Sequence, residues 1–296
     1  MGVSRWLRLL AWATLVANIG IVLTGGAVRL TGSGLGCPTW PRCTESSYTP
    51  HGELDYHSAI EFGNRTLTFV LVAIAVATLV AVILSWRQHL LWMGIVLFLG
   101  IPAQAIIGGI TVKTDLNPWV VAFHLLVSLA IIGLAVRLVR SLDGPLPQAH
   151  DGWVTRLAWA TFGAAWAVLY VGTVVTGSGP HAGDEDAKRT GLDPATVSQL
   201  HADLVFLFVG LTVGLLFTLL AAGGRPAAVR AVSVLLGVEV LQGTVGFVQY
   251  ATELPVVLVG FHLLGAALVS ATVTWTLLEV RHPRVPQASA AEITSP

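Results

Sequence analysis

Eight apolar stretches, each close to the roughly 20 residues that cross a bilayer as a helix, dominate this chain of 296 residues. They run near Trp6–Val28, Thr66–Trp86, Leu90–Val112, Trp119–Val139, Trp153–Thr176, Ala202–Ala222, Ala227–Val248 and Val256–Leu278. A hydrophobic content of 54%, only 11% charged residues and a mean hydropathy of +0.77 place the chain among integral membrane proteins. Runs of this length satisfy their backbone internally only as helices; barrel strands would be half as long. The first run follows Arg5 and Arg8 as a secretory signal would. It continues into Thr24-Gly-Gly-Ala-Val without a small-residue cleavage site, and so reads as a retained helix.

Arg and Lys placement sets the expected orientation. With the N-terminus inside, the inner segments hold Arg5, Arg8, Arg87, Arg137, Arg140, Arg156, Arg225, Arg230, Arg281 and Arg284. The outer segments hold Arg29, Arg42, Arg65, Lys113, Lys188 and Arg189. Ten against six puts both termini in the cytoplasm, as an even number of spans in a plasma membrane allows. A formal net charge of zero gives no sign of a nucleic-acid partner. Membrane lipid is the expected surrounding.

The chain is also duplicated. Gln104–Leu126, QAIIGGITVKTDLNPWVVAFHLL, recurs without a gap at Gln242–Leu264 as QGTVGFVQYATELPVVLVGFHLL. A weaker echo places Thr31-Gly-Ser-Gly after the first run and Thr176-Gly-Ser-Gly after the fifth. Four spans per half is an even number, so the halves face the same way, as in a parallel repeat about an axis along the membrane normal. The expected fold is all-α: eight transmembrane helices as two pseudosymmetric four-helix bundles. Residues 1–140 form the first bundle, 141–152 an inner linker, 153–280 the second bundle and 281–296 a disordered Pro/Ala/Ser-rich tail. The outer loop His181–Leu200 is expected to be polar and partly mobile.

Each copy of the repeat carries one histidine, His124 or His262, about two turns inside an apolar run. An ionisable residue at that depth is costly and marks a functional site by default. Histidines packed and hydrogen-bonded between helices are the structural alternative. His201 opens the sixth run at similar depth, and Asn64 stands in the corresponding slot of the second run, within Glu61-Phe-Gly-Asn-Arg65. His201 and His262 thus form a pair from different helices, suited to ligate a heme iron from its two faces or to relay protons. A structural zinc site would want four ligands, and no Cys or carboxylate cluster stands near them. His89, His150 and His282 fall on inner loops or tails; His51 and His181 fall on outer loops. His57 precedes Glu61 by four residues and shares its face if the second helix starts early. Glu61 lies at a membrane boundary, where a carboxylate is tolerated, whereas Glu239 lies within the seventh run.

The only cysteines, Cys37 and Cys43, lie in the first outer loop, within GCPTWPRC. A metal site would need further ligands beside them, and an oxidising compartment favours a disulfide.

At these residues the chain resembles the heme A synthase family. The resemblance rests on TGGAVRLTGSGLGCPTWPRC in the first outer loop, on Glu61-x-x-x-Arg65, on Phe-His-Leu at His124 and His262, and on His201. It runs from Trp6 to about Val280. It implies an eight-helix membrane oxidoreductase that converts heme O to heme A, oxidising a porphyrin methyl group to a formyl group by successive hydroxylations. By the same resemblance His201 and His262 are the axial ligands of a heme b. His124 meets the iron of the substrate heme O, Glu61 is the catalytic acid, and Cys37–Cys43 is the disulfide of one bacterial branch. Implied partners are the synthase that supplies heme O and terminal oxidase assembly factors; the sequence leaves the oligomeric state open, a homo-oligomer included.

The chain departs from the family's Glu-x-x-His-Arg pattern at Asn64, a poor ligand for heme iron. The iron near His124 is then five-coordinate, or His57 supplies its other face. A non-catalytic di-heme electron carrier would use the same histidines with less need of Glu61. A secondary transporter would account for the duplication, but the glycine- or proline-broken helix pair expected of one is not evident.

Overall fold

The computed structural model describes residues 4–50, 56–146 and 152–281. The expected linker falls partly, and the tail almost wholly, outside them, as do His51, His150 and His282. The described residues form eight α-helices and no strand. They are α1 (Arg5–Leu30), α2 (Tyr56–Leu84), α3 (Gln88–Lys113), α4 (Pro118–Arg140), α5 (Trp153–Ser178), α6 (Pro194–Ala221), α7 (Pro226–Ala251) and α8 (Val256–Val280). All eight are long and apolar enough to cross a membrane.

Two helices begin well before their apolar runs. α2 starts at Tyr56 and α6 at Pro194, because their first turns rest on protein and loop, where hydropathy gives no signal. Local chemistry fixes the α6 start. Asp193 caps it by accepting the Thr196 N–H at 2.8 Å and the Thr196 hydroxyl at 2.6 Å, with Pro194 at the first helical position. Those hydrogen bonds hold the Asp193 carboxyl below the usual carboxylate range. The segment expected to be a polar loop, His181–Leu200, is therefore helical from Pro194 onward. Ser4 and Asn117 cap α1 and α4 in the same way.

Helices α1–α4 pack as a ring in which each touches its chain neighbours and α1 closes on α4; α5–α8 repeat the arrangement. The rings join through α4 against α8, α1 against α8 and α4 against α5. At this seam Gly133 of α4 lets Thr274 approach, so that an added Cβ would meet its hydroxyl at 3.0 Å. The Ser270 hydroxyl donates to the Leu129 carbonyl at 2.7 Å. Close backbones and cross-helix hydrogen bonds of this kind hold helices together where lipid offers no hydrophobic drive. Ile132, Ala135, Leu129, Ala267 and Val273 fill the seam between them. At the end of the bundle that carries the chain termini, the buried Glu279 of α8 pairs with Arg140 of α4.

At the opposite end, here the loop end, the repeat shows in the backbone. Asp115 and Leu116 adopt φ of 50° and 56°, and Glu253 and Leu254 of 62° and 61°. Left-handed backbone at non-glycine residues costs about 1–3 kcal/mol each, and both halves hold it at the same place in the α3–α4 and α7–α8 turns. The Thr-Gly-Ser-Gly echo is not a structural one: Gly32 lies beyond α1 at φ +68°, whereas Gly177 is still inside α5.

Candidate functional site

The three membrane histidines share one construction. His124 sits six residues into α4 and His262 six into α8, about 9 Å from each helix start at 1.5 Å per residue. Each ring lies on a glycine of the preceding helix. A Cβ on Gly108 would stand 3.4 Å from the His124 ring, and one on Gly246 would stand 3.2 Å from the His262 ring. His201 of α6 lies likewise on Gly172 of α5, where a Cβ would stand at 3.1 Å. The Nδ1 atoms of all three are buried without a protein partner. A packing histidine held between helices would satisfy that nitrogen.

His201 and His262 come together. Their ring centroids are 6.3 Å apart with planes at 74°. With metal–nitrogen bonds of about 2 Å on each side and the rest of the distance taken by the rings, this is a spacing one iron between two imidazoles can fill. Glycines behind the rings leave room for them to turn without a side-chain collision.

In the first bundle the fourth position is Asn64, whose Oδ1 accepts from the Thr24 hydroxyl at 2.8 Å. Asn64 and His124 face a cavity of about 750 Å³ between α1, α2, α3 and α4, roofed at the loop end by Trp40, Pro41 and Tyr48. That volume suits a large apolar ligand. Gln104 fixes the α4 backbone beside the histidine, donating to the His124 carbonyl at 3.1 Å and to the Ser128 hydroxyl.

Glu61 also lines this cavity and is 5% exposed. Its Oε2 accepts the Cys37 N–H at 2.6 Å, and its Oε1 accepts Arg65 Nε and Nη2 at 3.1 and 2.5 Å. Arg65 then donates to the carbonyls of Cys37, Thr39 and Arg42. The pair, one turn apart on α2, thus grips the segment closed by the Cys37–Cys43 disulfide. Gly36 allows the grip: a Cβ there would stand 2.5 Å from the His57 backbone. Gly109 is likewise covered by the Trp40 indole, with a Cβ contact of 2.4 Å, while Lys113 lies over the same ring. The loop is therefore clamped to the cavity from α2 and from α3.

The other candidates fall elsewhere. His57 does share a helix with Glu61, but it is exposed, contacts the Ser33 hydroxyl at 3.1 Å and does not line the cavity. His181 bonds the Leu254 carbonyl, joining two loops, whereas His89, expected on an inner loop, lies in the first turn of α3 and bonds the Ser141 carbonyl at the end of α4. Glu239 accepts from Thr212 at 2.7 Å, and its Oε2 is buried without a partner. Among the described residues no cluster of three or more His, Cys, Asp or Glu could hold a metal ion. Arg29, which lines the cavity, and the glycine behind each histidine were not among the candidates legible in the sequence. The matched Gly108 and Gly246 of the repeat were the signal for two of those glycines.

The family described as "Cytochrome oxidase assembly protein" matches residues 8–183. Among curated relatives, the heme A synthase of Geobacillus thermodenitrificans is 34% identical over 106 residues, 35% of this chain and 32% of that protein. That of Lysinibacillus sphaericus is 31% identical over 183 residues, 57% of this chain and 58% of its own length. The chain thus spans about a third and somewhat over half of these two relatives. The heme A synthase of a Bradyrhizobium species is 27% identical over 346 residues, 95% of this chain and 94% of its own. With more than half of its length inside the family match, and with the cavity, the cysteine loop and the histidines on the helices described above, the chain belongs to the cytochrome oxidase assembly protein family.

Proposed function

We propose that this protein is a heme A synthase, a membrane oxidoreductase that oxidises a methyl group of heme O to a formyl group by successive hydroxylations. The observation that carries the reading is the single cavity shared by His124 and the buried Glu61. A histidine for the substrate iron and an acid for proton handling then face the same bound porphyrin. The names of the curated relatives support it.

In this reading residues 1–140 would hold substrate, and in residues 153–280 His201 and His262 would hold a heme b. The orphaned nitrogens and the ring spacing fit that group. When bound, the heme would supply one-electron chemistry. The chain's own part is to position and to exclude water. His124 fixes the substrate iron, Gln104 holds the His124 backbone, and the loop gripped by Glu61 and Arg65 closes the cavity. Glu61 moves a proton at Oε1 or Oε2. The protein sits in the plasma membrane with both termini cytoplasmic. It receives heme O from its synthase and serves terminal oxidase assembly, alone or as a homo-oligomer.

Pigment extraction from the purified protein tests this. Heme A in the extract is the expected result; heme b alone would identify an electron carrier, and no pigment a transporter.

The substrate iron should be bound by His124 alone, since His57 turns to Ser33 and lies seven residues, about 10 Å along the axis, from Asn64. Asn64→His should then add a second imidazole and convert a high-spin substrate signal to low spin. A signal already low-spin in the unaltered protein, and high-spin in His57→Ala, would instead assign the position to His57.

A further inference from the structure

Three groups carry formal charge on the cavity wall: Glu61, Arg65 and Arg29. Glu61 and Arg65 neutralise one another. Arg29 does not meet a carboxylate within ion-pair distance among the described residues. It is held by carbonyls alone, donating from Nε to His181 at 2.7 Å and from Nη2 to Thr176 at 3.0 Å. A partly buried cation held only by neutral dipoles is poorly compensated, because removing a charge from water is expensive unless an opposite charge replaces the solvent.

A second cation stands behind it. Arg189 donates to the Ala187 and Pro180 carbonyls. Both arginines line a smaller recess of about 310 Å³ at the loop end. Arg29, Ala182 and Gly183 border the recess and the main cavity alike, so the two spaces meet at Arg29. The recess also has acids. Glu185 is exposed, and Asp184 turns back to accept the Asp186 N–H at 3.0 Å. Neither forms an ion pair with the arginines.

We propose that Arg29, backed by Arg189, is the carboxylate anchor of the cavity and receives a propionate group of the porphyrin substrate. The proposal rests on the reading of the cavity as the substrate site and deepens it. A guanidinium matches a carboxylate with paired donors, and the Arg29 Nη1 is not used by the carbonyl contacts. Position agrees. Arg29 is one residue from the end of α1, while His124 lies six residues inside α4, about 7–8 Å deeper along the helix axes. That is the scale of half a porphyrin with its propionate arm. Iron on His124 and a carboxylate on Arg29 would fix the in-plane rotation of the ring, and so decide which methyl group meets Glu61.

The test titrates ferric protoporphyrin and its dimethyl ester into the purified protein with its resident heme in place, with His124→Ala as the blank. A charge-assisted contact of this kind should make the unaltered protein bind the free acid about 10- to 100-fold more tightly than the ester. Arg29→Gln should bring that ratio close to one and Arg29→Lys should keep part of it. Arg189→Gln should lower it by about threefold, the scale of a partly screened charge. The His201–His262 heme spectrum should be unchanged throughout. Equal affinity of the unaltered protein for acid and ester would overturn the proposal, as would a full preference retained in Arg29→Gln. Because Arg29 also holds the Thr176 and His181 carbonyls, loss of the resident heme spectrum in Arg29→Gln would signal misfolding. The ester ratio of the unaltered protein and of Arg189→Gln then decides. If neither porphyrin shows His124-dependent binding, the assignment of the cavity itself falls, and the anchor with it.

Discussion

Replacing His201 or His262 with alanine is expected to abolish the six-coordinate low-spin heme spectrum that the proposed function assigns to this protein. Each substitution removes one of two rings whose centroids stand 6.3 Å apart, so each alone breaks the pair. Loss of an outer-shell partner to a metal ligand already lowers affinity about 10- to 100-fold, and loss of a ligand should do at least as much. The two variants should therefore look alike, and the double variant little worse than either, because residues acting as one unit are not additive. Gly246→Ala is the graded companion. Its Cβ would stand 3.2 Å from the His262 ring, close enough to move the ring by a few tenths of an ångström. The heme should remain bound with an altered spectrum. An unchanged low-spin spectrum in both histidine variants would rule the pair out as ligands.

The sequence spoke most clearly where the bilayer imposes its own rule. Eight apolar runs, two copies of Phe-His-Leu-Leu and a cysteine pair outside the runs become eight helices, two histidines at equal depth and one disulfide. It was mute where helices leave the lipid. The first ten residues of α2 and eight of α6 are polar or mixed, yet their partners are protein, so hydropathy placed the helix starts too late. That error hid how Glu61 works. At the edge of a span it reads as a tolerated interfacial acid; one turn inside a longer helix it is a buried residue shared between cavity and loop. The i,i+4 spacing to Arg65 was legible, but their hold on Cys37 and Thr39 crosses more than 20 residues and belongs to the folded chain. Arg29 was counted among the outer charges for the same reason. Its partners, the Thr176 and His181 carbonyls, come from the other half of the molecule.

Glu61→Gln should leave the His201–His262 heme in place and reduce heme A formation by about 10²- to 10⁴-fold, the usual contribution of a positioned acid or base. The structure supplies a competing cause that the experiment must separate. Glu61 pairs with Arg65, and together they hold the disulfide segment over the cavity, so the variant also weakens a clamp. A glutamine oxygen can still accept the Cys37 N–H, but its amide cannot neutralise Arg65. Arg65→Gln weakens the same clamp from the other side and leaves the carboxyl in place, now without its cation, a penalty of about 3–5 kcal/mol where the pair is buried. If Glu61 served only to hold the loop, Arg65→Gln would be the more damaging change, since it loses the contacts to Cys37, Thr39 and Arg42 together. If Glu61 moves a proton, the order reverses: Glu61→Gln falls furthest. Glu61→Asp, shorter but ionisable, should then recover part of the activity although it reaches the loop less well. Heme A accumulation in Glu61→Gln equal to that of the unaltered protein, or equal losses in Glu61→Gln and Glu61→Asp alongside a larger one in Arg65→Gln, would reduce Glu61 to one half of a clasp.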